Sequence, residues 1–338
     1  MVAANYQSAV RAGTLAAARL HQELDLRRHI EAAGGNVDIF AVIHALDIPL
    51  LVRPLKGLLG AYLNDPSPGI LVTTERPMSI QRFTAAHELG HVRQQHQPSL
   101  DDEENILRRA PSQGGAGSDL QEVEADSFAA EFMMPRWLIA WHMARHGWTV
   151  THLKQPDIVY QLSLRIGASY EATSRTLARN GLIQSAEVTR LRDTEPRTMK
   201  ISLLGTYRPQ NYHGDVWLLT ERDAGTKIDG SHNDLFVLRL EEHSGGGYVW
   251  DIDQLKSSGF AIVRDDLQAI DAEGIGGSTI RRVTAAPPET FRGRLTINER
   301  RPWNPDSPHA TLTVDMDMTG PEQKGLSRVE RRRLLEEA

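Results

Sequence analysis

The sequence predicts two architectures in one chain, an α+β N-terminal half followed by an all-β C-terminal half. Three observations carry this. Residues 5 to 46, a stretch from about 79 and a further stretch from about 118 to 192 space their apolar side chains as helices do. From Gly205 to about Met318 the chain changes to short runs of Val, Ile, Leu and aromatics broken by Gly and Pro, the texture of an all-β domain. A length of 338 residues is about that of two domains, each able to bury a core.

In chain order, the first helical stretch breaks at Gly34-Gly35. "IPLLVRPL" and "GLLGAYLN" read as short strands, "NDPSPG" as a turn and "ILVTTE" as a further strand. Ser79 can cap a helix that carries Phe83, His87 and Gly90. Residues 98 to 118, acidic and then Gly-rich, read as a mobile loop, with Asp101-Asp102-Glu103-Glu104 solvated rather than a ligand set. Ser118 with Gln121 three residues on is a capping-box pattern, opening a helix to about Met134, where Pro135 ends or restarts it. "LSRVERRRLLEEA" at the end is a short charged helix or a frayed tail. The divisions are 1–157, a helical element and linker over 158–200, a β domain over 205–318, and a charged tail over 319–338.

Composition excludes several classes. The 40% hydrophobic and 24% charged residues are those of an ordinary globular protein. A net charge of -6 gives no reason for the whole chain to bind nucleic acid. With no cysteine there is no disulfide, thiolate metal site or thiol catalysis, so any metal must sit on His, Asp or Glu. No stretch approaches the ~20 apolar residues of a membrane span, and the N-terminus lacks the apolar core of a signal peptide. A cytoplasmic location, without membrane association, is the expectation.

The chemistry begins in "RFTAAHELGHVRQQHQ", residues 82 to 97, with His87, Glu88 and His91 in the order H-E-x-x-H. On a helix, residues i and i+4 face the same way, so both imidazoles can reach one ion. Glu88 lies about 100° round the axis, near enough to touch a metal-bound water without being a ligand. Zinc needs a third ligand and an open position. The extended motif H-E-x-x-H-x-x-G-x-x-H fails, because positions 94 and 97 are both Gln. His96, five residues past His91, points off the shared face. A carboxylate from "DLQEVEADSFAAEFMMP" is the other option: Glu122 as ligand, with Asp126 one turn later accepting a hydrogen bond from the far nitrogen of a ligand His. Glu124 sits about 200° away on that helix and is a poorer ligand candidate.

These paired motifs, HELGH and then E-x-x-A-D-x-F-A-A-x-F-M-M-P, resemble the ImmA/IrrE metallopeptidase family over about residues 20 to 185. The resemblance implies a zincin-like (gluzincin-like) α+β peptidase domain. It implies Zn2+ held by His87, His91 and Glu122, with Glu88 as general base. It further implies a cytoplasmic endopeptidase whose protein substrate is a helix-turn-helix repressor, cleaved in stress response or in the regulation of phage-like mobile elements. An oxyanion-stabilising group is expected, with His142, His152 and Tyr160 as candidates.

Residues 158 to 183 look like a helix-turn-helix, with Gly167-Ala168-Ser169 as the turn and Arg175 and Arg179 on the second helix. A DNA reader needs basic support for that helix. So few cations in an acidic chain favour a structural or substrate-docking role, and nucleic acid is not an expected partner.

Three loops stand out in the C-terminal half. They are His243-Ser244-Gly245-Gly246-Gly247-Tyr248, then Gly274 with Gly276 and Gly277, then Arg301-Pro302-Trp303. Their order and spacing resemble the chagasin-type cysteine-protease inhibitors over about residues 213 to 318. That resemblance implies an immunoglobulin-like β-sandwich presenting Gly247, Tyr248, Gly274, Gly276, Gly277, Arg301, Pro302 and Trp303 at one end. The first loop departs from the family pattern N-P-T-T-G-Y, since glycines replace the Thr pair. The domain is expected to recruit substrate, cover the metal cleft or bind a separate protease. Two competing readings are a protease-inhibitor or binding protein acting through these loops, and a DNA-binding regulator using residues 158 to 183.

Overall fold

The computed structural model describes residues 2–64, 67–97, 100–102, 120–269 and 279–336. Helices α1 (Val2–Glu23), α2 (Leu26–Ala33) and α3 (Ile39–Ala45) open the chain. The helical stretch breaks twice, at Asp25 (φ 46°) and at Gly34 (φ 69°). Left-handed backbone suits Gly and is tolerated by Asp, but only the Gly pair signals its break in the sequence.

Strands β1 (Leu50–Arg53), β2 (Leu58–Leu63), β3 (Gly69–Thr73) and β4 (Leu100–Asp102) follow. They lie in the spatial order β1-β3-β2-β4, with β1 and β3 parallel and the other pairs antiparallel. Helix α4 (Met78–Gln94) packs on this sheet. Its N-cap is Pro77 (φ −56°, ψ 155°) rather than Ser79, which falls inside the first turn. A proline's fixed φ and missing N–H suit a helix entrance, and here they set the start earlier than the hydroxyl would. Ser118 lies outside the described residues. Helix α5 (Leu120–Met133) ends before Pro135, which starts α6 (Arg136–His146). Then come α7 (Pro156–Ile166), α8 (Tyr170–Arg179), α9 (Ser185–Arg192) and α10 (Pro196–Leu204). Leu20, Ile43, Val72, Leu89, Phe128 and Phe132 belong to the core that helices α1 to α9 build with β1 and β3. Each contributes on the order of 1.5–3 kcal/mol by leaving water.

The β-rich half consists of two four-stranded sheets. One holds β5 (Val216–Leu219), β7 (Leu235–Glu242), β9 (Ala261–Ala269) and β10 (Thr279–Ala286), in the order β5-β7-β10-β9. The other holds β6 (Thr226–Asp229), β8 (Val249–Trp250), β11 (Arg292–Arg300) and β12 (Ala310–Asp317), in the order β6-β12-β11-β8. A short helix, α11 (Asp253–Ser257), links β8 to β9. Alternate residues of both sheets, Phe236, Leu238 and Leu240 from one and Leu312, Val314 and Met316 from the other, meet in a single core around Trp250.

The halves are joined by buried polar contacts. Arg165 of α7 donates to Asp223 Oδ1 at 2.8 Å and to Leu218 O at 2.7 Å. Gln161 bridges Val216 O and Leu218 N, both at 2.8 Å. Tyr160 donates to Asp215 Oδ1 at 2.9 Å and accepts from Val216 N at 2.9 Å. The α7–α8 pair, read from sequence as a helix-turn-helix, thus spends its first helix on the β half. On α8, Arg175 pairs with Glu171 and Arg179 with Glu131.

Residues 319–338 read from sequence as a charged tail, and their described part, 319–336, returns to the first sheet. Strand β13 (Gly325–Leu326) pairs antiparallel with β1, Leu51 opposite Leu326, and the closing helix α12 (Arg328–Glu336) places Glu330 2.5 Å from His44. Gln81 of α4 and the backbone of Glu322 exchange two hydrogen bonds, at 2.8 and 3.3 Å. No described helix is long and apolar enough to cross a membrane.

Candidate metal centre

Two helices build the site. On α4, His87 and His91 sit one turn apart, both fully buried, with Glu88 between them also buried. On α5, Glu122 and Asp126 sit one turn apart and are buried as well. Gly90 lets the helices approach. A Cβ there would stand 3.1 Å from Ala125 Cα and 3.2 Å from Phe128 Cβ, closer than a side chain is normally accepted.

The approach brings three ligand atoms together. His87 Nε2 lies 3.0 Å from His91 Nε2 and 3.3 Å from Glu122 Oε2, and His91 Nε2 lies 3.6 Å from Glu122 Oε1. A tetrahedral ion with bonds of about 2.0–2.1 Å has ligand–ligand edges of about 3.3 Å, so the three separations bracket that value. The donor set of two imidazoles and one carboxylate, with no thiolate, suits zinc. Burial argues the same way. Glu88, Glu122 and Asp126 bring three carboxyl groups out of water beside two imidazoles, an arrangement that a divalent cation relieves.

Each imidazole is held from behind. His87 Nδ1 lies 2.9 Å from Asp126 Oδ1. His91 Nδ1 lies 2.9 Å from His96 Nδ1, and His96 Nε2 lies 3.0 Å from Glu124 Oε2. Both rings therefore present Nε2 to the common point. His96 and Glu124, set aside as ligands, stand behind the ligands instead. Gln95 makes this possible: its left-handed backbone (φ 55°) ends α4 and folds the next residue back over His91.

Strand β2 forms the other wall. Residues two apart on a strand face the same way, and Gly60 and Tyr62 both face α4. A Cβ on Gly60 would meet Glu88 Oε1 at 2.5 Å and Thr84 Cγ2 at 2.5 Å. The buried Tyr62 ring stacks on that of His91 with centroids 6.4 Å apart. Neither contact was visible in the sequence, because each joins a strand to a helix more than twenty residues away. Behind the site, burial and the Asp126 charge push the Tyr6 hydroxyl of α1 up from its ordinary value.

The sequence comparison bears on these same elements. Residues 45–178 match the Peptidase_M78 family, the IrrE N-terminal-like domain. The M78 segment runs from β1 to within α8 and contains every residue of the His87, His91 and Glu122 group. No curated protein matches the chain. Among solved structures, the cysteine protease inhibitor EhICP2 from Entamoeba histolytica is 25% identical over 32% of this chain and 99% of its own, with a TM-score of 0.26. Amebosin is 24% identical over 30% of this chain and 96% of its own, with a TM-score of 0.26.

The three oxyanion candidates all lie in other surroundings. Tyr160 is bonded to β5, as above. His142 is buried against Trp141 and His146, and burial, then the Arg165 charge, pushes its pKa well down. His152 Nδ1 accepts from Thr149 N at 2.9 Å. Of the predicted loop residues, Gly274, Gly276 and Gly277 lie outside the described residues. The other two loops meet. Trp303, 71% exposed, covers Gly247 (φ 78°), where a Cβ would strike its ring at 2.5 Å. Pro302 stands between Trp303 and Arg301, which donates to Gly246 O at 3.0 Å and lies 4.5 Å over the Tyr248 ring.

Proposed function

We propose that the chain is a zinc-dependent endopeptidase of gluzincin type, with His87, His91 and Glu122 holding the ion and Glu88 as general base. The observation that supports this best is the 3.0–3.6 Å convergence of those three ligand atoms from two helices, with Glu88 on the next residue. Bound zinc would polarise a scissile carbonyl and acidify a water. Asp126 orients the His87 ring. The His96–Glu124 pair orients the His91 ring. Glu88, seated against Gly60, takes the water proton and delivers it to the leaving amine. Tyr62 limits water at the His91 side of the site.

The match to Peptidase_M78 supports a protein substrate. The resemblance to ImmA/IrrE enzymes supports a helix-turn-helix repressor, in stress or mobile-element regulation within the cytoplasm. The β half is an immunoglobulin-like sandwich used for recognition. Its exposed Trp303, braced by Gly247 beside the Arg301–Tyr248 pair, is the type of anchor that protein interfaces use. That surface also favours the second reading, a protease-binding module. DNA binding is the weakest reading, because Arg175 and Arg179 are paired with carboxylates. Glu88→Gln tests the enzyme: cleavage of a protein substrate should fall by at least ~10²-fold while bound zinc is unchanged. Cleavage at the wild-type rate would end the proposal.

A further inference from the structure

A second cluster of metal-binding side chains lies at the end of the β half. His243 follows β7, Glu299 is the penultimate residue of β11, and His309 precedes β12. One ligand atom from each lies within 4.8 Å of the others. Glu299 is fully buried, half-buried His243 lies beside it and exposed His309 closes the group. His243 Nδ1 is 3.0 and 3.1 Å from the two Glu299 oxygens, and His243 N donates to Oε1 at 2.6 Å. His309 N donates to Glu299 O at 2.7 Å, and the two imidazole rings meet edge to face at 4.6 Å.

We propose that His243, Glu299 and His309 form a second site for a borderline divalent cation such as zinc. A fully buried carboxylate needs a countercharge. Among the described residues, the ion-pair partner placed on Glu299 is His243. The neighbouring arginines are committed elsewhere: Arg300 pairs with Asp251, Arg281 with Glu242 and Asp265, and Arg301 lies on Tyr248. Two imidazoles and a carboxylate repeat the donor chemistry of the first centre. The 4.8 Å span is wider than the ~3.3 Å edge of a zinc tetrahedron. His243 and Glu299 already meet at 3.0–3.1 Å, so binding an ion requires the exposed His309 ring to turn inward.

The location gives the ion a task. His243 extends from one sheet and Glu299 and His309 belong to the other, so the ion ties the two sheets together at one end. Tyr248 packs on His309 with ring centroids 4.7 Å apart and carries Arg301 on its own ring. The ion therefore braces the loops that present Trp303.

Zinc titration of the full-length chain, with bound metal counted by elemental analysis, tests this. His309→Ala and His243→Asn should each bind one zinc fewer than the wild type, whereas His91→Ala should retain the equivalent that they lose. This makes the result independent of the first centre. Cobalt substitution gives the matching readout, a visible ligand-field band that persists in His91→Ala and is lost when His309→Ala is added to it. His309 is exposed, so that variant should remain folded, with a wild-type melting temperature in chelator. Equal zinc counts in the wild type and His309→Ala would overturn the site.

Discussion

Gly60 is where one methyl group separates the metal from the chemistry. Its missing Cβ would lie 2.5 Å from Glu88 Oε1, 2.5 Å from Thr84 Cγ2 and 3.0 Å from Leu71 O. Ordinary contacts are about 3.5 Å, so Gly60→Ala demands roughly 1 Å of movement. The wall cannot yield on the far side: Leu71 O belongs to β3, and Gly60 is paired with Val72 in the sheet. The displacement therefore falls on the α4 side chains Glu88 and Thr84, both fully buried. Overpacking of this kind costs about 1–3 kcal/mol of stability. A misplacement of ~1 Å in a general base costs about 10²-fold in rate, close to 2.7 kcal/mol of barrier. Gly60 touches none of the three ligand atoms, so zinc should stay. The assay pairs zinc content with steady-state cleavage of a casein or peptide-library substrate, wild type against Gly60→Ala at equal folded concentration. Full activity in that variant would refute the assignment of Glu88 to this seat. Loss of zinc together with activity would refute the separation of base from ligands.

Other outcomes follow from the same geometry. Asp126→Ala and His96→Ala should each weaken zinc binding by about 10–100-fold, measured by chelator competition, because each frees a ligand ring to turn; unchanged affinity in both would mean the rings are held by packing alone. Deleting residues 319–338 strips β13 from β1 and removes the two hydrogen bonds between the buried Gln81 and the Glu322 backbone, which should cost ~3 kcal/mol and lower Tm by roughly 5–10 °C by differential scanning fluorimetry. An unaltered Tm would make the returning strand dispensable. Stability should also fall from pH 6.5 to pH 5. Burial, then Arg165, holds His146 down to about 2, so its contribution is complete above its unfolded value near 6.5 and is lost as pH falls. Burial, then Asp215, raises Asp234 to about 6, so its contribution is complete below about 4 and is lost as pH rises through 6. Over that window His146 loses about 2 kcal/mol and Asp234 regains about 1 kcal/mol, and buried His142 acts in the direction of His146. A denaturant midpoint that rises on acidification to pH 5 would reverse this ordering.

Helix periodicity made the pairing of these side chains legible, while their roles as ligands came from the family resemblance. His87 and His91 share a face by their spacing, and Glu122 and Asp126 do the same on a second helix. What escaped depends on contacts no period encodes. His96 looked misplaced because a continuing helix would carry it off the ligand face. The left-handed turn at Gln95, a residue that rarely takes it, returns it to the far side of His91. Gly60 and Tyr62 matter through the register of β2 against α4, which follows from the tertiary fold. The two-residue strand β13 is too short to carry an alternation, and its partner lies 275 residues earlier in sequence (Leu326 on Leu51). In the β half, alternation in β7 and β12 was readable, whereas the joining of the halves through Arg165 and Gln161 was not, because polar side chains at helical positions look solvent-facing until a partner covers them.

In the proposed enzyme His87, His91 and Glu122 hold one ion through Nε2, Nε2 and a carboxylate oxygen. Zinc K-edge X-ray absorption on the purified full-length protein, carrying His309→Ala so that only this centre is occupied, tests it most directly. The account predicts one zinc per chain in a shell of nitrogen and oxygen at about 2.0–2.1 Å, with the outer-shell scattering of two imidazoles, reduced to a single imidazole in His91→Ala. A chain that purifies and remains without zinc under titration, or a spectrum unchanged by His91→Ala, would contradict it.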